Sequence, residues 1–202
     1  MMMGYRDLLT LWRKRIIRFE PDIDPRQQIG LSSIDLRLGY LFTKQRDAPG
    51  YTIDPFDEEF DPNPHIETID LGQQPRPAGQ GANFILKPDE FVLSRTLETV
   101  HIPPNLAAQV QGTTTGARSG LSIHATAPHI HPGFSGSITL EIKNLGQWHL
   151  RLNPGKRICQ LILFQIKTPV SKREVKDMSS YQDQLLPYVK RQVRVAKTTQ
   201  HR

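Results

Sequence analysis

The chain has 202 residues and a mass of 23.0 kDa, the length of one ordinary domain, which we predict to span residues 1–202. Its 16 prolines and 14 glycines disfavour a helical bundle, because proline removes a helix hydrogen bond and glycine costs backbone entropy. A single cysteine, Cys159, excludes an internal disulfide and a zinc site built from a Cys-x-x-Cys pair, and we expect it to pack as a small hydrophobe. No stretch has the ~18 apolar residues that cross a bilayer, and the start of the chain lacks the apolar run of a signal peptide. We therefore expect a soluble, cytoplasmic protein.

The net charge of +6 is concentrated at the two ends of the chain. Residues 1–18 carry five basic side chains and one acidic side chain, and residues 187–202 carry five basic side chains and no acidic one. The body between these ends is therefore mildly acidic. Because basic clusters at chain termini usually belong to a solvent-exposed tail, we do not predict a nucleic-acid partner.

The first predicted element is an amphipathic helix, because apolar residues recur at three-to-four spacing over residues 8–17. We interpret it as a lid or interface helix. Apolar and polar residues alternate over 34–40, which predicts a half-buried strand. Residues 46–82 break this periodicity and carry several acidic residues among prolines and glycines. This composition predicts a long acidic insertion loop, with room for one short strand at 66–71.

Short strand patterns then follow one another along the chain. They cover residues 84–86, 91–93, 107–110, 121–127, 138–142, 148–152 and 158–166. The last segment is almost continuously apolar, which predicts a strand covered on both faces. Turns rich in proline and glycine separate these segments, so the pattern favours an all-β barrel or jelly roll. After Pro169 the pattern fades into a polar, basic tail, residues 170–202.

Glu141 lies inside the apolar strand pattern of residues 138–142. Alternation along a strand places the three apolar residues on one face and Thr139 and Glu141 on the other. A carboxylate at this position either faces water or lies in a pocket, where it could act as a general acid or base. The strand pattern taken alone favours the first alternative.

The segment Gly112-Thr113-Thr114-Thr115-Gly116-Ala117-Arg118 connects two strand patterns. Glycines let backbone N–H groups approach an anion, hydroxyls add donors, and the planar guanidinium of arginine suits phosphate. The composition is typical either of a threonine-rich turn or of a phosphate-binding loop. The spacings of the Walker A motif and of the dinucleotide-binding motif are both absent.

Three histidines, His124, His129 and His131, lie close together in the sequence. An extended segment would point His129 and His131 to the same side, but an odd step and Pro128 separate His124 from them. We expect structural or surface roles for these side chains rather than a zinc site, and we predict no resident metal ion.

The order of several short motifs resembles the dCTP deaminase family within the dUTPase-like superfamily. The matching segments are S-I-D-L-R-L-G at 33–39, F-V-L at 91–93, T-L-E at 96–98, A-R-S-G-L at 117–121, T-A at 126–127, P-G-F-S-G at 132–136, L-E at 140–141 and P-G-K-R-I-C-Q at 154–160. The resemblance runs from about residue 30 to about residue 166. It implies a homotrimer of a distorted β jelly roll, preceded here by a short N-terminal helix, with active sites between subunits.

The resemblance also implies a reaction. Members of this family replace the amino group at cytosine C4 with oxygen without zinc, converting dCTP to dUTP and ammonia and so supplying deoxyuridine nucleotides for dTTP synthesis. Mg²⁺ is bound through the substrate triphosphate. By position, Glu141 would activate water and later protonate the departing amine, and Arg118 would orient the site and contact phosphate oxygens. The H-x-E and P-C-x-x-C signature of zinc deaminases is missing.

The other residues that the resemblance assigns would bind the substrate. Thr114 and Thr115 stand where the family has two serines, within a loop that includes Thr113, Gly116 and Ala117. Thr126 and Ala127 would place backbone groups against the base, and Thr139 and Leu140 would flank the pyrimidine. Tyr181 and Gln184 would belong to a tail segment that covers the phosphates.

Three positions depart from the family pattern. Thr113 replaces an arginine, His131 replaces an aspartate expected near the sugar hydroxyl, and Ser180 replaces a frequent lysine. These changes remove charges from the nucleotide site and leave two alternatives open, a dUTP pyrophosphatase of the same fold and a non-catalytic nucleotide-binding regulatory module. The pyrophosphatase is the weaker alternative, because its chemistry uses an aspartate near the position of His131 to activate water.

Overall fold

A computed structural model describes residues 1–47, 49–50, 52–54, 56–57, 60–72 and 81–178. Its helices are α1 (Tyr5–Arg13), α2 (Pro25–Gln28), α3 (Thr114–Arg118) and α4 (Lys172–Met178), with one 3-10 turn at Asn63–His65. Its strands are β1 (Arg18–Glu20), β2 (Ile34–Arg37), β3 (Leu41–Gln45), β4 (Ile66–Asp70), β5 (Phe84–Leu86), β6 (Phe91–His101), β7 (Leu106–Gly112), β8 (Leu121–Ser122), β9 (His129–Ile130), β10 (Ser135–Asn144), β11 (Leu150–Leu152) and β12 (Arg157–Gln165). The protein is mainly β with a short N-terminal helix, which confirms the predicted fold class.

The strands pair antiparallel and form two larger sheets and one small one. The larger sheet has the order β4-β3-β6-β10-β8, with β1 also paired to β6. The second sheet has the order β2-β12-β7-β9, and β5 pairs with β11. Along the two longest strands, β6 and β10, buried and half-buried residues alternate without interruption. Each of these strands therefore turns one row of side chains to the core and the other row outward.

One cluster of buried apolar side chains draws on both larger sheets. Its members without any exposed surface include Phe42, Leu106, Leu140, Leu161 and Leu163. Full burial of such a side chain stabilises the fold by about 1.5–3 kcal/mol relative to exposure. Cys159 is also fully buried in this cluster, as expected of a small hydrophobe, and burial raises the pKa of its thiol.

The N-terminal helix is shorter than predicted and packs on the core. It begins at Tyr5 and ends at Arg13, whereas the spacing predicted a helix over residues 8–17. Leu8 is fully buried, and the Met3 backbone N–H donates to the carbonyl of Leu163 in β12 at 2.9 Å. Ile17, whose spacing fitted the helix, instead comes after it and is buried just before β1.

Several predicted strands differ in extent from those in the structure. The strand predicted at 34–40 ends at Arg37, and the strand predicted at 91–93 continues to His101. The strand predicted at 121–127 contains only Leu121–Ser122, because the chain then turns and presents its amide groups to a side chain instead of to a neighbouring strand. The strand predicted at 148–152 begins at Leu150, since Asn144 accepts from Gly146 N at 3.0 Å and donates to Trp148 O at 2.8 Å, which holds a turn. β12 alternates buried and half-buried residues over much of its length, so it is not fully covered on both faces.

The long segment between β3 and β5 contains the 3-10 turn and β4, so the short strand predicted there is confirmed. Within the predicted polar tail, the structure adds helix α4. Across the part of the chain that is described, no helix is long and apolar enough to span a membrane.

Candidate active site

Glu141 lies on the half-buried face of β10 and opposite Leu93 of β6. Its Oε2 accepts a hydrogen bond from Ala125 N at 2.8 Å and a longer one from Thr126 N at 3.2 Å. Within the described ranges, no group hydrogen-bonds or pairs with its Oε1. One oxygen of the carboxylate is thus fixed by two backbone donors, and the other is available to a ligand. This arrangement differs from a freely solvated carboxylate on a sheet face, which the strand pattern alone favoured.

The two donors belong to a turn that follows β8. Ile123 is buried and fixes this turn to the core, while Ala125, Thr126 and Ala127 are exposed. β8 pairs with the end of β10, with Ser122 opposite Lys143. The turn is therefore held against the strand that carries Glu141. Thr126 contacts the predicted general base, and Ala127 follows Thr126 in the same turn.

The predicted phosphate loop contains a short helix, α3, instead of an irregular turn. Thr113 is its N-cap: the Thr113 Oγ1 accepts from Gly116 N at 3.2 Å, and Ala117 N donates to the Thr113 carbonyl at 2.9 Å. A Cβ on Gly116 would lie 3.3 Å from the Thr113 Oγ1 and 3.4 Å from Leu121 Cδ2, so the position favours glycine. The hydroxyl of Thr113 thus stabilises the loop itself, a role that the sequence analysis missed although threonine is a common N-cap residue.

Thr114, Thr115 and Arg118 all have exposed side chains. Arg118 makes no ion pair or side-chain hydrogen bond with any other described residue. The loop is joined to the end of β10 by a hydrogen bond of 2.7 Å from Leu145 N to the Gly120 carbonyl. Gly120 has a φ of 84°, and a Cβ there would lie 2.5 Å from Gly146 N, so this close contact requires glycine. The loop and Glu141 are thereby connected through β8 and β10.

Thr139 shares the half-buried face of β10 with Glu141, and Leu140 points the opposite way. The Leu140 side chain is fully buried in the core. A contact from Leu140 to a pyrimidine would therefore have to come from its backbone, whereas Thr139 could contribute its side chain.

The three histidines are divided between two places. The ring of His131 meets that of His129 edge-on, with centroids 4.8 Å apart. His124 lies elsewhere, with its Nε2 3.1 Å from the Oε1 of Gln111 in β7. Within the described ranges, no group of three or more His, Cys, Asp or Glu side chains is arranged to hold a metal ion. Ser180, Tyr181 and Gln184 lie outside the described residues.

A second carboxylate, that of Glu98 in β6, connects the two larger sheets and is fully buried. In the sequence, this residue was noted only as the last member of the T-L-E motif. Its Oε1 accepts from Arg37 Nε at 2.6 Å and from Gln28 Nε2 at 3.1 Å, and its Oε2 accepts from Arg37 N at 2.9 Å. Both oxygens are therefore satisfied, and the S-I-D-L-R and T-L-E motifs meet in one buried network.

Together these features define a β-sheet protein in which a carboxylate with one fixed and one unpaired oxygen is connected, through β8 and β10, to a loop of hydroxyls and one arginine. A family model described as dCTP deaminase-like matches residues 3–166. The chain belongs to this family.

Curated relatives cover most of the chain. It is 37% identical over 169 residues to a protein of Dictyoglomus turgidum named dCTP deaminase, dUMP-forming, an alignment that covers 84% of this chain and 82% of the relative. It is 38% identical over 192 residues to a dCTP deaminase of Halorubrum lacusprofundi, with coverage of 95% and 91%. A solved structure of a 2'-deoxycytidine 5'-triphosphate deaminase from Agrobacterium tumefaciens has the same fold, with a TM-score of 0.61 at 19% identity. That comparison covers 87% of this chain and 51% of the longer one.

Proposed function

We propose that the protein is a hydrolytic deaminase of deoxycytidine nucleotides that converts dCTP and water to dUTP and ammonia. The observation that carries the proposal is the carboxylate of Glu141, with its Oε2 held by the amide groups of Ala125 and Thr126. A group that must accept and then return a proton needs a fixed orientation and one accessible oxygen, and Glu141 has both. The family membership and the names of the relatives support the same reaction.

In the proposed reaction, Glu141 accepts a proton from water as the oxygen bonds to cytosine C4. The electron pair of the C4–N3 double bond moves to N3, and Glu141 passes this first proton to N3. Glu141 then accepts the second proton, from the new hydroxyl group on C4, and gives it to the amino group. The bond from C4 to the amino nitrogen breaks, ammonia leaves and the C4 carbonyl forms. The two backbone donors keep Oε2 in place through both transfers, so that Oε1 exchanges the proton with the substrate.

The exposed side chains of Thr114, Thr115 and Arg118 would bind the phosphates. Mg²⁺ would enter on the triphosphate as part of the substrate, and no zinc would take part. Thr113 would contribute through the helix that it caps, and His131, Tyr181 and Gln184 would complete the nucleotide site.

We propose that the enzyme works as a homotrimer in the cytoplasm, with each nucleotide bound between two subunits. The exposure of Arg118 and its neighbouring threonines supports this assembly, because one chain alone leaves the phosphate side of the site open to solvent. Sedimentation or light scattering should give about three times the mass of one chain at micromolar concentration. A monomeric mass would contradict the assembly.

A nucleotide panel tests the reaction. The protein is incubated with dCTP, dCMP and dUTP, with and without Mg²⁺, while ammonia, pyrophosphate and nucleotide products are measured. Ammonia from dCTP is the expected result, and a zinc-selective chelator should leave it unchanged. Pyrophosphate from dUTP without ammonia from dCTP would indicate a pyrophosphatase, and bound but unchanged nucleotide would indicate a regulatory module.

A second candidate is a deaminase that also releases pyrophosphate and so forms dUMP. It is favoured by the name of the relative from Dictyoglomus turgidum, which is dUMP-forming. The same panel distinguishes it, because ammonia and pyrophosphate would then appear together from dCTP.

A further inference from the structure

The peptide unit between His124 and Ala125 is held at both of its polar ends. Its N–H, on Ala125, donates to the Glu141 Oε2 at 2.8 Å, and its carbonyl, on His124, accepts from the Ser122 Oγ at 2.9 Å. A peptide unit is planar, so a bond to the carbonyl also fixes the direction in which the N–H points. The hydroxyl of Ser122 therefore aims the donor that orients Glu141.

The side chain of His124 also restrains this peptide unit, because its ring is attached to the residue that supplies the carbonyl. Its Nε2 lies 3.1 Å from Gln111 Oε1, so a neutral ring with its proton on Nε2 donates to this glutamine. The ring's other nitrogen, Nδ1, is buried without a hydrogen-bond partner in the described part of the chain. Among the described residues, Gln111 thus provides the hydrogen bond that holds the His124 ring in place. Without this contact, neither ring nitrogen of His124 would have a hydrogen-bond partner among the described residues. Losing a hydrogen bond costs free energy, so the contact opposes movement of the ring and of the backbone that carries it.

Gln111 is itself placed by the second sheet. It precedes Gly112 at the end of β7 and stands directly opposite Gln160 of β12, which stands in turn opposite Asp35 of β2. The Gln160 amide donates to Asp35 Oδ1 at 3.4 Å. A row of polar side chains therefore crosses this sheet and ends at the turn beside Glu141.

We propose that Ser122 and Gln111 are positioning residues for the deamination, acting through the His124–Ala125 peptide on the orientation of the Glu141 carboxylate. This inference rests on the proposed function. Neither side chain hydrogen-bonds to Glu141 or belongs to the phosphate loop, so each should affect the proton-transfer step more than binding of the phosphates.

The first experiment compares Ser122→Ala with Ser122→Thr. Removing the hydroxyl should lower kcat for dCTP about five- to tenfold, the effect of losing one neutral hydrogen bond, while KM changes less than twofold. Threonine retains the hydroxyl and should restore most of kcat. A loss that threonine does not repair, or an unchanged kcat in Ser122→Ala, would overturn the proposal.

The second experiment replaces Gln111 by methionine, which has similar length but cannot accept from His124. We expect a fall in kcat of the same size and its recovery in Gln111→Glu, which retains an oxygen acceptor. The matched control is Gln109→Met, because Gln109 lies on the same face of β7 and makes no side-chain hydrogen bond with other described residues. Equal losses in the two methionine variants would contradict a specific role for Gln111.

A double-mutant cycle separates positioning from a direct role. If Ser122 and Gln111 act through Glu141, their substitution in a Glu141→Gln background should lower the residual rate less than twofold. A full additional loss in that background would show that they act elsewhere and would overturn the proposal.

Hydrogen exchange gives a readout that does not need activity. The amides of Ala125 and Thr126 should exchange about five- to tenfold faster in Ser122→Ala and Gln111→Met than in the parent or in Gln109→Met. If the parent protein releases no ammonia from dCTP, the proposed function fails, and these exchange rates still decide whether the two residues hold the turn. Unchanged exchange in both variants would overturn the positioning inference alone.

Discussion

Two of the glutamates on the six-stranded sheet, Glu98 and Glu141, lie on its opposite faces, and their surroundings differ. Glu98 of β6 faces the core, is fully buried and has both oxygens bonded by Arg37 and Gln28. Glu141 of β10 is half-buried, and within the described residues only its Oε2 is bonded, by the amides of Ala125 and Thr126.

The difference distinguishes a carboxylate with a structural role, Glu98, from the proposed proton carrier, Glu141. A fully paired carboxylate in the core has no free lone pair to offer a substrate, and its ion pair joins β6 to Arg37 in the other sheet. A carboxylate with one fixed oxygen and one free oxygen is oriented and still accessible, which is what general acid–base catalysis requires. Substitutions at these two sites should therefore separate activity from stability.

The largest effect is expected from Glu141→Gln. The amide fills the same volume but cannot accept and return a proton, so kcat for ammonia release should fall by about 10²–10⁴-fold. The melting temperature should stay within about 2 °C of the parent, because the side chain lies outside the core. Glu67→Gln, at an exposed position of β4, serves as the matched control. Activity within a few-fold of the parent would exclude Glu141 as the proton carrier.

Glu98→Gln should give the opposite result. Removing the carboxylate charge leaves Arg37 without its counter-charge. The Arg37 side chain is 28% exposed, so water compensates part of the loss, and we expect a decrease of about 2–4 kcal/mol in the free energy of unfolding. For a chain of this length, that loss corresponds to a melting temperature lower by roughly 4–16 °C. Urea unfolding at fixed protein concentration measures it. A variant as stable as the parent, or one that loses kcat while remaining fully folded, would contradict the structural role.

Arg118→Ala tests the phosphate side of the site. Arg118 is exposed and makes no ion pair or side-chain hydrogen bond with other described residues, so removing its side chain should not change stability. We expect kcat/KM for dCTP to fall about 10- to 100-fold, the effect of losing hydrogen bonds to a charged group. Arg118→Lys should recover part of the loss, since lysine keeps the charge but not the planar fork. Arg151→Ala, at the exposed position of β11, is the control, and equal losses in both alanine variants would argue against a phosphate contact.

The smallest effects are expected at Thr113. Thr113→Ala removes the cap of α3 and should lower stability by about 1 kcal/mol, whereas Thr113→Ser should retain it. Thr113→Arg loses the cap as well but adds a guanidinium, so it should bind dCTP more tightly by about 1.5 kcal/mol, an advantage that added salt reduces. Calorimetric titration in the Glu141→Gln background avoids turnover. Weaker binding by the arginine variant would mean that the side chain at 113 does not face the phosphates.

The local sequence predicted the strands well where one row of side chains faces the core. The alternation around Glu141 placed it correctly on the outer face of its strand, because side-chain direction in a strand follows a period of two. The same rule overestimated the strand after Gly120, since Ala125 and Thr126 donate to a side chain 16 and 15 residues away, respectively, instead of to a strand. The threonine-rich segment was correctly singled out, but its cap depends on a backbone conformation that composition does not specify.

The sequence by itself determined the strand-rich fold, the outward face of Glu141 and the family to which its motifs belong. These follow from periodicity and from short motifs, which are local properties of the chain. Only the tertiary structure decided that Glu98 is fully paired while Glu141 keeps one free oxygen, and that Ser122 and Gln111 stand behind the turn at Glu141. The contacts of Glu98 with Arg37 and of Glu141 with Ala125 join residues 61 and 16 positions apart, so their geometry depends on how the strands pack and not on any one segment. The bond from Ser122 to His124 is local, but its effect on Glu141 depends on the turn lying against β10.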